Sequence, residues 1–342
     1  MAEEQNEMMV LVPEDMEKLL DYVFDERQNL FIWGAPGVGK TQMTRQLAER
    51  KNAQYLPLHL TLMEPVDLRG LPVVNEDRTG VKWVPMGELP TDPDSVGVVH
   101  LDELNTAGPS VMAAAMQFAL DKRIGEYQLP EGWRIIACGN RVSDGAAARK
   151  MPTALADRFS HVEATTSVDS WSKWALEAGL PGEMIGFLNF RKDLLHNFSA
   201  SRTVNTTPRG WEDVGRAVAE DPKLDSMATL AYVSGRVGKG PIAELRSFVR
   251  VWRDLPDIEK ILAGEITELK DGTDVAVKYA ATVACAMSVK KGQFGTMLDF
   301  LDKIGPEFSR MAIMMALKRD ARLRHDASYQ DWVANRMSKV SG

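Results

Sequence analysis

A glycine-rich run that ends in a lysine and a threonine is the segment whose residue types and spacing point most directly to chemistry. It fits the pattern G-x-x-x-x-G-K-[ST], in which backbone N–H groups surround the phosphates of a bound nucleotide. Its eight residues are Gly34, Ala35, Pro36, Gly37, Val38, Gly39, Lys40 and Thr41. Lys40 would reach the β and γ phosphates as a point charge, and the hydroxyl of Thr41 would hold Mg²⁺. The pattern therefore predicts a nucleotide site.

The segments on either side of this run fit the same interpretation. Leu30, Phe31, Ile32 and Trp33 form a short apolar run that predicts a buried strand. Residues 41–50 predict a helix, whose N-terminus would turn the positive end of its dipole towards the phosphates. A strand before the loop and a helix after it are the surroundings that a phosphate-binding loop requires.

Two neighbouring acids follow a second apolar run. Residues 96–103 are mostly apolar and β-branched, which is typical of a parallel strand buried on both faces. Asp102 would lie at the carboxyl end of this strand and hold Mg²⁺ through water, and Glu103 would act as the general base on the attacking water. His100 is an unusual polar group within such a strand, and we expect it to be a hydrogen-bonded core histidine.

An asparagine and two arginines complete the set of candidate residues. Asn140 ends a third predicted strand, where its neutral amide could hydrogen-bond both the γ-phosphate and the attacking water. Arg158 follows an Ala-Leu-Ala-Asp segment, and Arg209 falls in the first turn of a helix that Pro208 would begin. An arginine near the γ-phosphate stabilises charge in the transition state and can come from a neighbouring subunit.

The order of these motifs resembles that of AAA+ ATPases, in which they are named Walker A, Walker B, sensor 1, arginine finger and sensor 2. Four further segments resemble those of the MoxR-like subgroup of AAA+ ATPases, and the resemblance as a whole covers roughly residues 28–215. They are Glu64–Pro72 for the "DL-x-G" insert, Trp83–Pro85 for the W-x-P-G segment, Leu101–Pro109 for Walker B and its continuation, and Ala154–Phe159 for the A-L-x-D-R-F element. One departure is Met86, which stands between Pro85 and Gly87 where many members have Pro-Gly.

This resemblance implies a fold, a cofactor and partners. The fold is α/β, a P-loop NTPase (AAA+) parallel sheet flanked by helices in residues 1–198. A helical lid in 199–270 and a C-terminal helical extension in 271–342 would follow. The nucleotide would be ATP, and the chain would form a hexameric ring in which Arg158 completes the neighbour's site. The motor would remodel or activate a protein client, with a von Willebrand factor A domain protein as a possible partner. The insert and a hairpin at residues 123–132 would face the pore.

Composition restricts the alternatives. The net charge of −7 argues against a general nucleic-acid coat protein, and two cysteines without a CxxC pair suit a reducing cytoplasm. No apolar run is long enough to cross a membrane, and the acidic start is unlike a signal peptide. A nucleic-acid-stimulated AAA+ motor stays open, because Arg69, Lys82 and Arg123 fall in the inserts. A small-molecule kinase is the third hypothesis, and Glu103 weakens it.

Overall fold

A computed structural model describes residues 8–84, 87–124, 126–145, 148–149 and 151–340. Pro85 and Met86 of the tryptophan segment, and Gly125 of the predicted hairpin, lie outside the described residues. The chain divides into two compact units. The first contains the residues up to Thr166 together with Phe198–Ser201, and the second contains Ser167–Asn197 and the chain from Arg202 onwards.

A parallel sheet of six strands forms the centre of the first unit, in the order β1-β10-β2-β9-β6-β3. Every neighbouring pair of strands in it is parallel. The strands in the described part of this unit are β1 (Val10–Leu11), β2 (Leu30–Trp33), β3 (Gln54–His59), β4 (Leu71–Val74), β5 (Val81–Val84), β6 (Gly97–Asp102), β7 (Arg123–Ile124), β8 (Tyr127–Gln128), β9 (Trp133–Gly139) and β10 (Ser160–Ala164).

Helices cover both faces of this sheet, which explains the continuous apolar runs in its central strands. The helices of the first unit are α1 (Pro13–Asp25), α2 (Lys40–Arg50), α3 (Pro65–Arg69), α4 (Pro109–Asp121) and α5 (Thr153–Ala156). Ile32 of β2 packs in one cluster with residues of α1 and α2, whereas its neighbour Phe31 packs in another with residues of α4. Successive side chains of a strand point to opposite faces, so β2 anchors both layers.

Two antiparallel hairpins extend from this framework. Strand β4 pairs with β5, and all eight residues of these two strands are exposed, although most of them are apolar. Strand β7 pairs with β8 ahead of β9. The hairpin predicted within residues 123–132 is therefore present in the described residues.

The second unit is helical around a single hydrophobic cluster. Its helices are α6 (Val168–Glu177), α7 (Gly182–Phe190), α8 (Pro208–Glu220), α9 (Met227–Val237), α10 (Lys239–Arg253), α11 (Ile258–Leu262), α12 (Val275–Ser288), α13 (Phe294–Ile304), α14 (Pro306–Arg319) and α15 (Ala327–Val340). The cluster contains residues from both sides of positions 198 and 270, the two domain boundaries predicted from the sequence. Among the described residues, no helix is long and apolar enough to cross a membrane.

Trp211 of α8 is the side chain in this cluster whose loss should cost most. It is fully buried, contacts Phe187 at 5.7 Å between ring centroids, and donates from Nε1 to the carbonyl oxygen of Leu194 at 2.6 Å. We expect Trp211→Ala to lower the free energy of unfolding by about 3–5 kcal/mol, because it leaves a large cavity. Chemical denaturation followed by circular dichroism measures this. Trp83→Ala, at a partly exposed position of β5, is the control, and an equal loss in both variants would contradict the prediction.

Candidate nucleotide site

The glycine-rich loop lies between β2 and α2, at the carboxyl edge of the sheet. Gly37 and Gly39 have φ angles of 81° and 97°, a left-handed conformation that glycine adopts without steric cost. Helix α2 begins at Lys40, and no side chain in the described part of the chain caps its first turn. The N–H groups of an uncapped first turn, together with the positive end of the dipole, form a binding site for an anion.

The ammonium group of Lys40 lies inside this loop. Its Nζ donates to the carbonyl oxygens of Gly34 and Ala35, at 2.6 and 3.1 Å, and to Oδ1 of Asn140 at 3.0 Å. Burial lowers the pKa of Lys40, and nearby Asp102 partly offsets this effect. Burial removes the water that stabilises the positive charge of the ammonium group. An anion in the loop would stabilise that charge instead, so Lys40 suits a phosphate ligand.

Asp102 is the acid that the structure brings next to the loop. The hydroxyl of Thr41 donates to its Oδ2 at 3.2 Å, across 61 positions of sequence. Burial acts to raise the pKa of Asp102, but His100 and the Thr41 hydroxyl outweigh it and hold the pKa below its ordinary value. The Nδ1 atom of His59, at the end of β3, lies 3.6 Å from Oδ2 of Asp102. Asp102 therefore carries its negative charge at neutral pH.

His100 differs from the expectation in one respect. It is fully buried, as predicted, but neither of its ring nitrogens has a hydrogen-bond partner in the described part of the chain. Its Nε2 lies 3.7 Å from Oδ1 of Asp102, which is beyond hydrogen-bond distance. The parallel strand places positions 100 and 102 on the same face, so His100 packs beside Asp102 rather than serving as a satisfied core histidine.

Glu103 follows Asp102 in a strained conformation. Its φ and ψ angles of 56° and 36° are left-handed, which is uncommon for a residue with a side chain. Its backbone N–H donates to Oδ1 of Asp102 at 3.0 Å, and its exposed carboxylate accepts from the hydroxyl of Thr61 at 3.0 Å. The turn directs Glu103 away from the strand, and strain of this kind is concentrated at functional sites.

Thr61 and Asn105 are two residues near the candidate site that the sequence interpretation missed. Thr61 lies in a 3-10 turn after β3 and contacts Glu103 across 42 positions. Asn105 is fully buried and hydrogen-bonds the backbone of Asn140. Asn105 could have been suspected from its place two residues after Glu103, whereas nothing local in the sequence distinguishes Thr61.

The two candidate arginines lie outside the group formed by Lys40, Asp102 and Asn140. Arg158 lies two residues before β10, and β10 runs parallel to β2 with Ser160 opposite Leu30 and Glu163 opposite Trp33. Arg158 is therefore at the amino edge of the sheet, whereas the loop that follows Trp33 is at the carboxyl edge. Its Nη1 donates to the carboxylate of Asp157 at 2.5 Å. Arg209 lies in the second unit, exposed in the first turn of α8.

The protein groups at the carboxyl edge fit a magnesium–nucleotide complex. Mg²⁺ is usually held by one or two side-chain oxygens together with waters and phosphates, and the Thr41 hydroxyl and Asp102 carboxylate are such a pair. No group of three or more histidine, cysteine or acidic side chains among the described residues could hold a metal ion by itself. Residues 34–41 would form the cradle for the phosphates of such a complex, and Lys40 would supply the positive charge.

A parallel α/β sheet with this loop at its carboxyl edge defines the fold class of P-loop NTPases. Within that class, residues 29–159 match the family described as AAA domain (dynein-related subfamily). The match runs from just before β2 to just before β10 and includes every candidate site residue except Arg209. Residues 29–159 therefore match an AAA domain within a parallel, helix-flanked P-loop NTPase fold, and a helical region follows.

Comparison with other proteins adds only distant similarities. NtrX from Brucella abortus in complex with ADP is 14% identical, with 93% of this chain and 68% of that chain covered and a TM-score of 0.42. The RuvB Holliday junction branch migration motor of Thermotoga maritima is 14% identical, with 73% and 74% covered and a TM-score of 0.38. Both TM-scores are below 0.5, so neither similarity bears on the activity of this chain. No curated protein sequence matches significantly.

Proposed function

We propose that this protein is a Mg²⁺-dependent ATPase of the AAA+ type. The observation that carries the proposal is the convergence of four groups at one edge of the sheet. The ammonium of Lys40 contacts the amide of Asn140, and the hydroxyl of Thr41 contacts the carboxylate of Asp102. These groups come from two different strand ends and one helix start, and each suits a different part of a nucleoside triphosphate.

Each residue then has one chemical role. Lys40 and the first turn of α2 bind the phosphates, and the amide of Asn140 orients the γ-phosphate and the attacking water. Glu103 takes the proton from that water, because it directly follows Asp102 and its exposed carboxylate is held by the hydroxyl of Thr61. Mg²⁺, held by Thr41 and Asp102, would neutralise charge that develops on the phosphate oxygens.

The proposal assigns Arg158 to the site of a neighbouring subunit. The length of the paired strands β2 and β10 separates Arg158 from the phosphate loop of its own subunit. Four paired residues, at a rise of about 3.3 Å per residue, correspond to roughly 10 Å along the strands. A guanidinium at that edge is available to another copy of the chain, where it would stabilise the charge of the transition state. Arg209 would act as a second arginine from the helical unit.

The MoxR-like resemblance extends the proposal to a ring, expected to be a hexamer, that remodels or activates a client protein. A von Willebrand factor A domain protein is the kind of partner that we would test first. The β4–β5 hairpin supports a contact role, because Leu71, Val74 and Val81 are each more than half exposed. Apolar side chains collected on an exposed hairpin commonly mark an interaction site.

Lys40→Ala tests the central assignment. We expect ATP affinity to fall roughly 100-fold or more, because charge-assisted hydrogen bonds are worth about 1.5–3 kcal/mol each and 1.4 kcal/mol corresponds to a factor of ten. Isothermal titration with ATP and Mg²⁺ measures the change, and Lys18→Ala, an exposed lysine on α1, is the control. Unchanged affinity in the Lys40 variant would overturn the assignment.

An ATPase assay on the wild-type protein distinguishes a protein-remodelling motor from a nucleic-acid-stimulated motor. ATP hydrolysis is measured with and without double-stranded DNA at two salt concentrations. A rate that is independent of DNA supports the remodelling motor. Stimulation that falls steeply as salt rises would favour the alternative, because phosphate contacts release counterions.

A further inference from the structure

The side chain of Asn105 hydrogen-bonds both the backbone N–H and the backbone carbonyl of Asn140. Its Nδ2 donates to the carbonyl oxygen of Asn140 at 2.8 Å, and its Oδ1 accepts from the N–H of Asn140 at 3.2 Å. Asn105 is fully buried and lies in the 3-10 turn Leu104–Thr106, across 35 positions of sequence. One amide therefore satisfies both backbone polar groups of a residue in the candidate site.

The sheet cannot supply these contacts. Strand β9 pairs with β6 as far as Ala137 and with β2 as far as Gly139, so Asn140 is the first residue beyond both ladders. Gly139 leaves room for the incoming amide. A Cβ atom at this position would lie 2.3 Å from Oδ1 of Asn105 and 2.6 Å from Cζ of Phe31. The end of β9 is thus shaped around Asn105.

The turn that carries Asn105 is also the turn that begins at Glu103. The N–H and the hydroxyl of Thr106 both donate to the carbonyl oxygen of Glu103, at 3.0 and 2.9 Å. The carbonyl oxygen of Asn105 accepts from the N–H of Arg149 at 2.9 Å. A single short turn therefore connects Glu103, the end of β9 and the loop that follows it.

We infer that Asn105 is a positioning residue, which fixes Asn140 relative to Lys40 and Glu103. This inference rests on the ATPase function proposed above. The side-chain oxygen of Asn140 reaches Nζ of Lys40 at 3.0 Å only while its peptide is held in place. A displacement of about 1 Å in a group that orients reactants can cost roughly 100-fold in rate, whereas phosphate binding by the loop does not depend on it.

The test uses Asn105→Ala and Asn105→Asp, the second of which keeps an acceptor but loses the donor. We expect kcat to fall about 10- to 100-fold in both variants, while KM for ATP changes by less than about threefold. The control is Asn189→Ala in the second unit. Asn189 is equally buried and donates to Oγ of Ser172 and to the carbonyl oxygen of Ile185. The Asn189→Ala variant should lose thermal stability but keep the kcat of the wild type.

A double-mutant cycle with Asn140→Ala shows whether Asn105 acts through Asn140. If it does, Asn105→Ala should change kcat less than about twofold in the Asn140→Ala background, because residues that act as a unit are not additive. If the fold reductions in kcat of the two single variants multiply in the double variant, the inference is overturned. Unchanged kcat in both single Asn105 variants would overturn it as well.

Hydrogen exchange separates this inference from the proposed function. Amides of residues 139–141 should exchange about tenfold faster in Asn105→Ala than in the wild type, while those of β6 stay unchanged. If wild-type and Lys40→Ala proteins hydrolyse ATP equally slowly, the ATPase proposal fails, and faster exchange still supports the positioning of Asn140. Unchanged exchange at residues 139–141 overturns the inference whatever the ATPase result.

Discussion

The Glu103→Gln protein is expected to bind ATP with near wild-type affinity and to hydrolyse it about 100- to 1,000-fold more slowly, which is the usual contribution of a general base. Glutamine has nearly the same shape as glutamate, and its side-chain oxygen can still accept from the hydroxyl of Thr61. It cannot take a proton from water at neutral pH. Isothermal titration and a phosphate-release assay on the same sample separate binding from hydrolysis.

Glu76→Gln is the matched control for this change. Glu76 is an exposed carboxylate in the turn of the β4–β5 hairpin, outside the six-stranded sheet. The control variant should keep both binding and turnover. Near-normal hydrolysis by Glu103→Gln would remove Glu103 from the role of base, and equal losses of binding and hydrolysis would indicate damage to the fold of the turn.

Arg158→Ala is expected to keep ATP binding and to lose at least about 1,000-fold in turnover, the size of effect that an arginine finger has elsewhere. The reason is geometric, because Arg158 and the phosphate loop lie at opposite edges of the same parallel sheet. Mixing this variant with Lys40→Ala protein should restore activity. One variant supplies an intact nucleotide site, and the other supplies the missing guanidinium.

Asp157→Asn is the control for the arginine variant. Asp157 is the ion-pair partner of Arg158 and is itself largely exposed, so the change removes the pairing charge and leaves the guanidinium in place. We expect it to keep most of the activity, since exposed ion pairs contribute little. If the mixture of Arg158→Ala and Lys40→Ala proteins is no more active than the sum of its components, Arg158 acts within its own subunit or only structurally.

The sequence alone was sufficient where the signal is local. The strand at Leu30–Trp33 and the strand that ends at Asp102 are where the apolar runs predicted them. The start of α2 at the glycine-rich loop was also predicted, because left-handed glycines and an uncapped helix start are properties of adjacent residues. These elements determine the fold class and the position of the phosphate loop.

Only the tertiary structure decided which residues surround that loop. The contact of Asn105 with Asn140, that of Thr61 with Glu103, and the place of Arg158 at the far edge all depend on the strand order β1-β10-β2-β9-β6-β3. Hydrophobic periodicity specifies a strand and its buried faces but carries no information about its neighbours. His100 illustrates the same point, since its burial follows from the strand, whereas its lack of a hydrogen-bond partner among the described residues follows from what the fold packs against it.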